Sequence, residues 1–66
     1  MSNLQEVRNR RGLTQKQLAE KSGVPLVMVQ KYEQKVKNIN NAQVTTVLNL
    51  AQALKVAPRD ILEREE

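Results

Sequence analysis

Side chains that commonly carry out catalysis are scarce in this chain of 66 residues. It has no histidine and no cysteine, so disulfides, the usual zinc ligands and the common activated nucleophiles are missing. An active site would need carboxylates or lysines brought together in a cleft. Before residue 60 the only acids are Glu6, Glu20 and Glu33, and no such constellation is visible. We therefore expect no enzyme, no metal site, no cofactor and no small-molecule substrate.

The basic residues indicate a different kind of chemistry. The chain has a net charge of +4 and a pI of about 9.9. Residues 1–59 hold ten of the eleven lysines and arginines but three of the seven acids, a net charge of +7, and the last seven residues carry −3. A basic body with an acidic tail suits binding to a polyanion. An ordinary solvated surface is the alternative.

The length predicts one small domain over residues 1–66, near the lower limit for a core without disulfides or metals. No apolar run approaches the roughly 20 residues of a membrane span. The first residues also lack the apolar stretch of a signal peptide. We expect a soluble, cytoplasmic protein with no membrane partner. Residues 63–66 form an acidic tail that is expected to fray into solvent.

Apolar periodicity, caps and stop signals predict five helices and no strands. The expected spans are 3–11, 15–22, 25 to about 34, a wide apolar stripe over 44–54, and a short helix restarted at Ala57-Pro58. A polar loop precedes the fourth helix, which is expected to be the most buried. Thr14 is expected to cap the second helix.

The second and third helices have the features of a steep crossing over a tight turn. Ala19 allows the helices to approach closely, and Gly23, four residues later, can take the left-handed backbone. Val29 and Tyr32 continue the apolar spacing and are expected in the core. The pair is interpreted as a helix-turn-helix, whose usual use is to place its second helix in the major groove of DNA.

Three ordered segments carry a resemblance that covers nearly the whole chain: RGLTQKQLAEKSGV, VQKYE and LNLAQALKVAPRDIL. In this combination they resemble the Cro/phage-repressor type of helix-turn-helix, also called the XRE family. The resemblance implies an all-α fold, a compact five-helix, lambda-repressor-like bundle. It also implies a homodimer that binds palindromic operators in double-stranded DNA.

The resemblance assigns roles to individual residues. The base-reading positions are Leu26, Val27, Gln30 and Lys31. The phosphate-binding positions are Gln15 and Lys16 at the start of helix 2, and Gln34, Lys35, Lys37 and Asn38 after helix 3. Arg8 and Glu33 match a salt bridge that joins helices 1 and 3. Ile61 and Leu62 match the dimer surface by family analogy, or they close the core instead.

The start of helix 3 departs from the family pattern. Family members usually have polar residues there, whereas this chain has Leu26, Val27 and Met28. Apolar side chains can contact thymine methyl groups but cannot form bidentate hydrogen bonds to guanine or adenine. Hydrogen-bond readout is therefore expected to fall mainly to Gln30 and Lys31.

The end of helix 3 departs from the family pattern as well. Gln34 and Lys35 replace the glycine that commonly ends this helix. Because glycine is the usual left-handed helix stop, helix 3 is expected to extend by half a turn or more. Such an extension would shift the phosphate-binding positions that follow.

Two functions from different classes fit these features. The first is a DNA-binding transcriptional regulator, most simply a repressor. The second is a protein-binding module, such as an antitoxin that holds a toxin partner through the apolar residues 26–28, since exposed apolar rows are typical of protein contacts. The two functions can coexist. A neighbouring toxin-like gene would favour the second.

Overall fold

The computed structural model describes residues 2–64, which contain four α-helices, two short 3₁₀ helices and no β-strand. The α-helices are α1 (Asn3–Arg10), α2 (Gln15–Ser22), α3 (Leu26–Glu33) and α4 (Val44–Leu54). The 3₁₀ helices are Ile39–Asn41 and Pro58–Asp60. No helix in this part of the chain is long and apolar enough to cross a membrane. The all-α prediction is correct, but the count of five helices is wrong.

The expected fifth helix is a single 3₁₀ turn. The N–H groups of Asp60 and Ile61 each donate three residues back, to the carbonyls of Ala57 and Pro58. The Asp60 carboxylate accepts from the Ala57 N–H at 3.0 Å and closes the turn. Ile61 then enters the core, where none of its surface is exposed. The chain therefore leaves the helical path after one turn.

Both ends of α2 are fixed by local sequence. The Thr14 hydroxyl accepts from the Gln17 N–H at 3.0 Å, and the Gln17 side chain accepts from the Thr14 N–H at 2.9 Å. This reciprocal pair is a capping box. At the other end Gly23 has a φ of +76°, and its N–H donates to the Ala19 carbonyl. The predicted span Gln15–Ser22 is therefore confirmed.

α3 stops without a glycine. Lys35 adopts a φ of +61°, its N–H donates to the Tyr32 carbonyl at 3.2 Å, and the Val36 N–H donates to the Lys31 carbonyl at 3.0 Å. These two bonds form a Schellman motif. The expected extension of the helix is wrong, because a lysine takes the left-handed conformation that glycine usually supplies. Lys55 ends α4 in the same conformation, with a φ of +59°.

A single hydrophobic core joins the helices. Its buried members are Leu4, Val7, Leu18, Val24, Val29, Tyr32, Ile39, Val47, Leu50, Ala51, Leu54 and Ile61. α2 packs against both α3 and α4, and α4 packs against the Pro58–Asp60 turn. The helix-turn-helix thus packs against α4 through α2.

The apolar stripe of α4 is only partly covered. Val47, Leu50 and Leu54 are buried, as predicted for the core face of this helix. Val44 and Leu48, which belong to the same stripe, remain 72% and 41% exposed. The stripe is wider than the core it faces, so one of its edges lies on the surface.

Candidate nucleic-acid interface

The two sides of α3 have different surroundings. Its buried residues are Val29, Tyr32 and Glu33. The four residues expected to read bases are at least partly accessible: Leu26 and Val27 are exposed, and Gln30 and Lys31 are half-buried. The helix therefore presents two apolar side chains, one amide and one ammonium group outside the core.

Met28 is less accessible than the two apolar residues before it. It is half-buried and packs against the core, whereas Leu26 and Val27 are 37% and 56% exposed. The apolar strip expected over residues 26–28 is therefore reduced to two residues. The cause is the helical period, which turns the third residue of the run toward the interior.

A buried ion pair fixes α3 relative to α1 and α2. The Arg8 guanidinium donates from Nε and a terminal nitrogen to the two carboxylate oxygens of Glu33, at 2.6 and 3.0 Å. Another nitrogen of Arg8 donates to the Leu13 carbonyl at 2.7 Å. Bidentate geometry of this kind restricts orientation as well as distance. The pair implied by the resemblance is present, with side chains only 11% and 2% exposed.

The ion pair also holds the start of α2. The Gln15 side-chain nitrogen donates to a carboxylate oxygen of Glu33 at 3.0 Å. Sequence reasoning missed this contact, since it joins residues on different helices. Because the Gln15 side chain is engaged here, the group of Gln15 suited to a phosphate is its backbone N–H at the N-terminus of α2. Lys16 beside it is exposed.

The residues that follow α3 form a second basic region. Gln34, Lys35, Lys37 and Asn38 are all exposed. A depression of about 290 Å³ is lined by Tyr32, Lys35, Lys37, Asn38, Glu63 and Arg64. We call Lys35, Lys37 and Asn38 the loop clamp. The Schellman motif places it directly at the end of α3.

Glu63 forms hydrogen bonds to two distant parts of the fold. Its backbone exchanges two hydrogen bonds with the side chain of Asn40, at 2.8 and 2.9 Å, and its carboxylate accepts from the Asn3 N–H at 2.8 Å. The fraying of residues 63–66 stays a prediction, but the structure gives Glu63 these partners. Arg64 is exposed, and residues 65 and 66 lie outside the described residues.

The two candidate dimer residues have different environments. Ile61 is fully buried and belongs to the core, so it is not available as a surface contact. Leu62 is half-buried and lines a groove of about 330 Å³. We call this the apolar groove; its lining residues are Asn40, Ala42, Val44, Val47, Leu48, Pro58 and Leu62.

Comparison with known proteins agrees with this geometry. A family model described as helix-turn-helix matches residues 4–61, from the first turn of α1 to the buried residue after the second 3₁₀ turn. No curated protein and no solved structure gave a match. The matched region contains α2 and α3, the Arg8–Glu33 pair and the loop clamp. The chain therefore belongs to the Cro/C1-type helix-turn-helix (XRE) family of DNA-binding transcription regulators.

Proposed function

We propose that this protein is a transcriptional repressor that binds a palindromic operator as a homodimer, with α3 in the major groove. The observation that carries the proposal is the accessible surface of α3, together with groups suited to phosphates on the elements before and after it. Gln15 and Lys16 begin α2, and the loop clamp follows the last residue of α3. The Arg8–Glu33 pair and its bond from Gln15 fix the start of α2 relative to α3, and the Schellman motif fixes the start of the loop clamp.

Base readout would combine two kinds of contact. Lys31 and Gln30 offer hydrogen-bond donors to base edges, and lysine most often contacts the O6 and N7 acceptors of guanine. Val27, at 56% exposure, is suited to a thymine methyl group. A repressor of this kind acts by occupying the operator and blocking polymerase.

Selection of bound duplexes from a random DNA pool, at about 0.15 M salt, tests the proposal, because specific and non-specific binding separate near physiological salt. We expect a palindrome whose half-sites lie roughly 10 base pairs apart from centre to centre. Duplexes bound without any sequence preference, or no bound duplex, would contradict the proposal.

Lys31→Ala should weaken binding to the selected operator by about 1–3 kcal/mol, about 5- to 150-fold. Because the lost contact is to a base, discrimination should fall at one position of each half-site while affinity for random duplex changes little. Lys16→Ala is the matched control: it should weaken binding to all sequences and reduce the salt slope by about 1. A uniform loss for Lys31→Ala would make this residue a phosphate contact.

The apolar groove is the surface that we propose for dimerisation. It joins Leu62, the dimer residue implied by the resemblance, to the exposed edge of α4 at Val44 and Leu48. A two-fold interface uses the same patch on both partners, which suits a patch that is apolar at every lining residue except Asn40. A second copy of this chain is therefore the occupant that we propose.

Leu48→Glu should weaken binding to the full palindrome by about tenfold or more, because a leucine buried in the interface contributes about 1.5–3 kcal/mol. Affinity for a single half-site should not change. Asn49→Glu is the control, since it adds the same charge at the neighbouring exposed position of α4. Titrations of full-site and half-site duplexes give both values, and equal losses for the two variants would exclude the groove as the interface.

The exposed pair Leu26 and Val27 also favours a second candidate function. Adjacent exposed apolar residues are typical of protein-binding surfaces, so an antitoxin-like grip on a toxin partner fits the same end of α3. If the selection experiment yields no bound duplex, the protein-binding function is favoured over the repressor function. A small toxin-like gene beside this one in the genome would favour the second.

A further inference from the structure

Glu63 lies in a segment whose backbone is held on both sides. The Leu62 carbonyl accepts from the Asn3 side chain at 2.8 Å. The Glu63 carbonyl and N–H bond to the amide group of Asn40 at 2.8 and 2.9 Å. These contacts join the segment to α1 and to the 3₁₀ helix Ile39–Asn41. The position of the Glu63 backbone is therefore fixed by partners far away in the sequence.

The Glu63 carboxylate has two partners of different kinds. One oxygen accepts from the backbone N–H of Asn3, in the first turn of α1, at 2.8 Å. The other lies 3.6 Å from the Lys35 ammonium nitrogen. The Glu63 side chain is 22% exposed and the Lys35 side chain 55% exposed. The carboxylate is thus fixed to a helix, whereas its lysine partner can turn into solvent.

This carboxylate belongs to the same depression as the loop clamp. Glu63 lines it together with Lys35, Lys37 and Asn38. A phosphate that approaches these residues meets a fixed negative charge beside the positive ones. The carboxylate and the phosphate are both negative and repel each other, and the repulsion weakens as salt is added.

We propose that Glu63 is a built-in competitor of phosphate that limits how tightly the loop clamp holds the DNA backbone. This inference rests on the proposed DNA-binding function. When DNA binds, Lys35 leaves Glu63 for a phosphate, and the carboxylate stays in place because α1 and Asn40 hold it. The competition weakens the sequence-independent part of binding, so that base contacts from α3 supply a larger share of the affinity.

Glu63→Gln tests the inference, because glutamine keeps an oxygen that can accept from Asn3 while it removes the charge. We expect about 2- to 5-fold tighter binding to random-sequence duplex at low salt, the range of an exposed ion pair. The plot of log affinity against log salt should steepen by about 0.9, the value for one charge, because no carboxylate is left to take up a cation when Lys35 moves to a phosphate. Fluorescence anisotropy titrations over a salt series measure both quantities.

Glu6→Gln is the matched control, since Glu6 is exposed on α1 and the substitution changes the net charge equally. The inference requires a larger effect from Glu63→Gln than from Glu6→Gln. It also requires that Lys35→Ala remove most of the gain from Glu63→Gln. Equal effects of the two glutamine variants, or no effect of Glu63→Gln, would reduce Glu63 to a structural cap of α1.

Failure of this inference can be distinguished from failure of the proposed function. If the wild type and all variants bind no duplex while their circular dichroism stays helical, the proposed function fails, and this inference fails with it. If the wild type binds DNA and the two glutamine variants bind alike, this inference alone is overturned. Urea unfolding of each variant verifies that the affinities refer to folded protein.

Discussion

Glu33→Ala should lower the free energy of unfolding by about 3–5 kcal/mol, the usual cost of removing one partner from a buried ion pair. The Arg8 guanidinium, whose side chain is 11% exposed, would lose both of its carboxylate bonds. Gln15 would lose an acceptor as well. A core of this size supplies about 3–5 kcal/mol without staples, so we expect a largely unfolded variant. Urea unfolding followed by circular dichroism measures the change.

Two further variants identify the cause of that loss. Glu20→Ala removes an exposed glutamate from α2 and should change stability by less than about 0.5 kcal/mol. A double variant, Arg8→Met with Glu33→Leu, removes both charges and should be more stable than Glu33→Ala, since no unpaired charge stays buried. If Glu33→Ala and the wild type had the same urea midpoint of unfolding, the pair would not stabilise the fold.

Leu50→Ala should lower the free energy of unfolding by about 2–5 kcal/mol, because it removes a fully buried side chain and leaves a cavity. Leu50 is 0% exposed and lies on α4, the helix that packs against α2 of the helix-turn-helix. For a domain of this size, about 4–8 °C of Tm is lost for each kcal/mol. Thermal unfolding should therefore show a fall in Tm of at least about 8 °C.

The matched control for Leu50 lies two residues earlier on the same helix. Leu48→Ala makes the same chemical change at a side chain that is 41% exposed, so we expect a smaller loss, under about 1 kcal/mol. Measurement over a range of protein concentrations separates any contribution from self-association. Similar losses for the two variants would mean that Leu50 is less tightly packed than its burial indicates.

The elements that sequence predicts well are those with local signals. α2 begins at a Thr14–Gln17 capping box and ends at Gly23, so both of its bounds follow from neighbouring residues. The buried face of α4 follows from the spacing of Val47, Leu50 and Leu54. These interactions lie within a few positions along the chain, where periodicity and capping rules apply.

The features that sequence misses depend on tertiary contacts or on an unusual residue in a common role. Glu63 reads as part of a charged tail, and its partner Asn3 is 60 positions away. The Gln15–Glu33 bond also joins different helices. For the candidate interface, the family resemblance implied the four α3 positions, which the fold leaves at least partly accessible. Two features could be seen only in the structure. They are the packing of Met28 against the core and the position of the Glu63 carboxylate beside the loop clamp.

Lys35 and Lys55 end their helices in a conformation that is costly for any residue with a Cβ atom. Glycine would relieve that cost at either position, but it carries no charge. At Lys55 the exchange would affect stability alone. At Lys35 it would also remove a cation from the loop clamp, so under the proposed function this substitution would raise stability and weaken DNA binding. If the proposed function holds, Lys55 could be exchanged for glycine to gain stability without a loss of binding, whereas Lys35 would be retained for its charge.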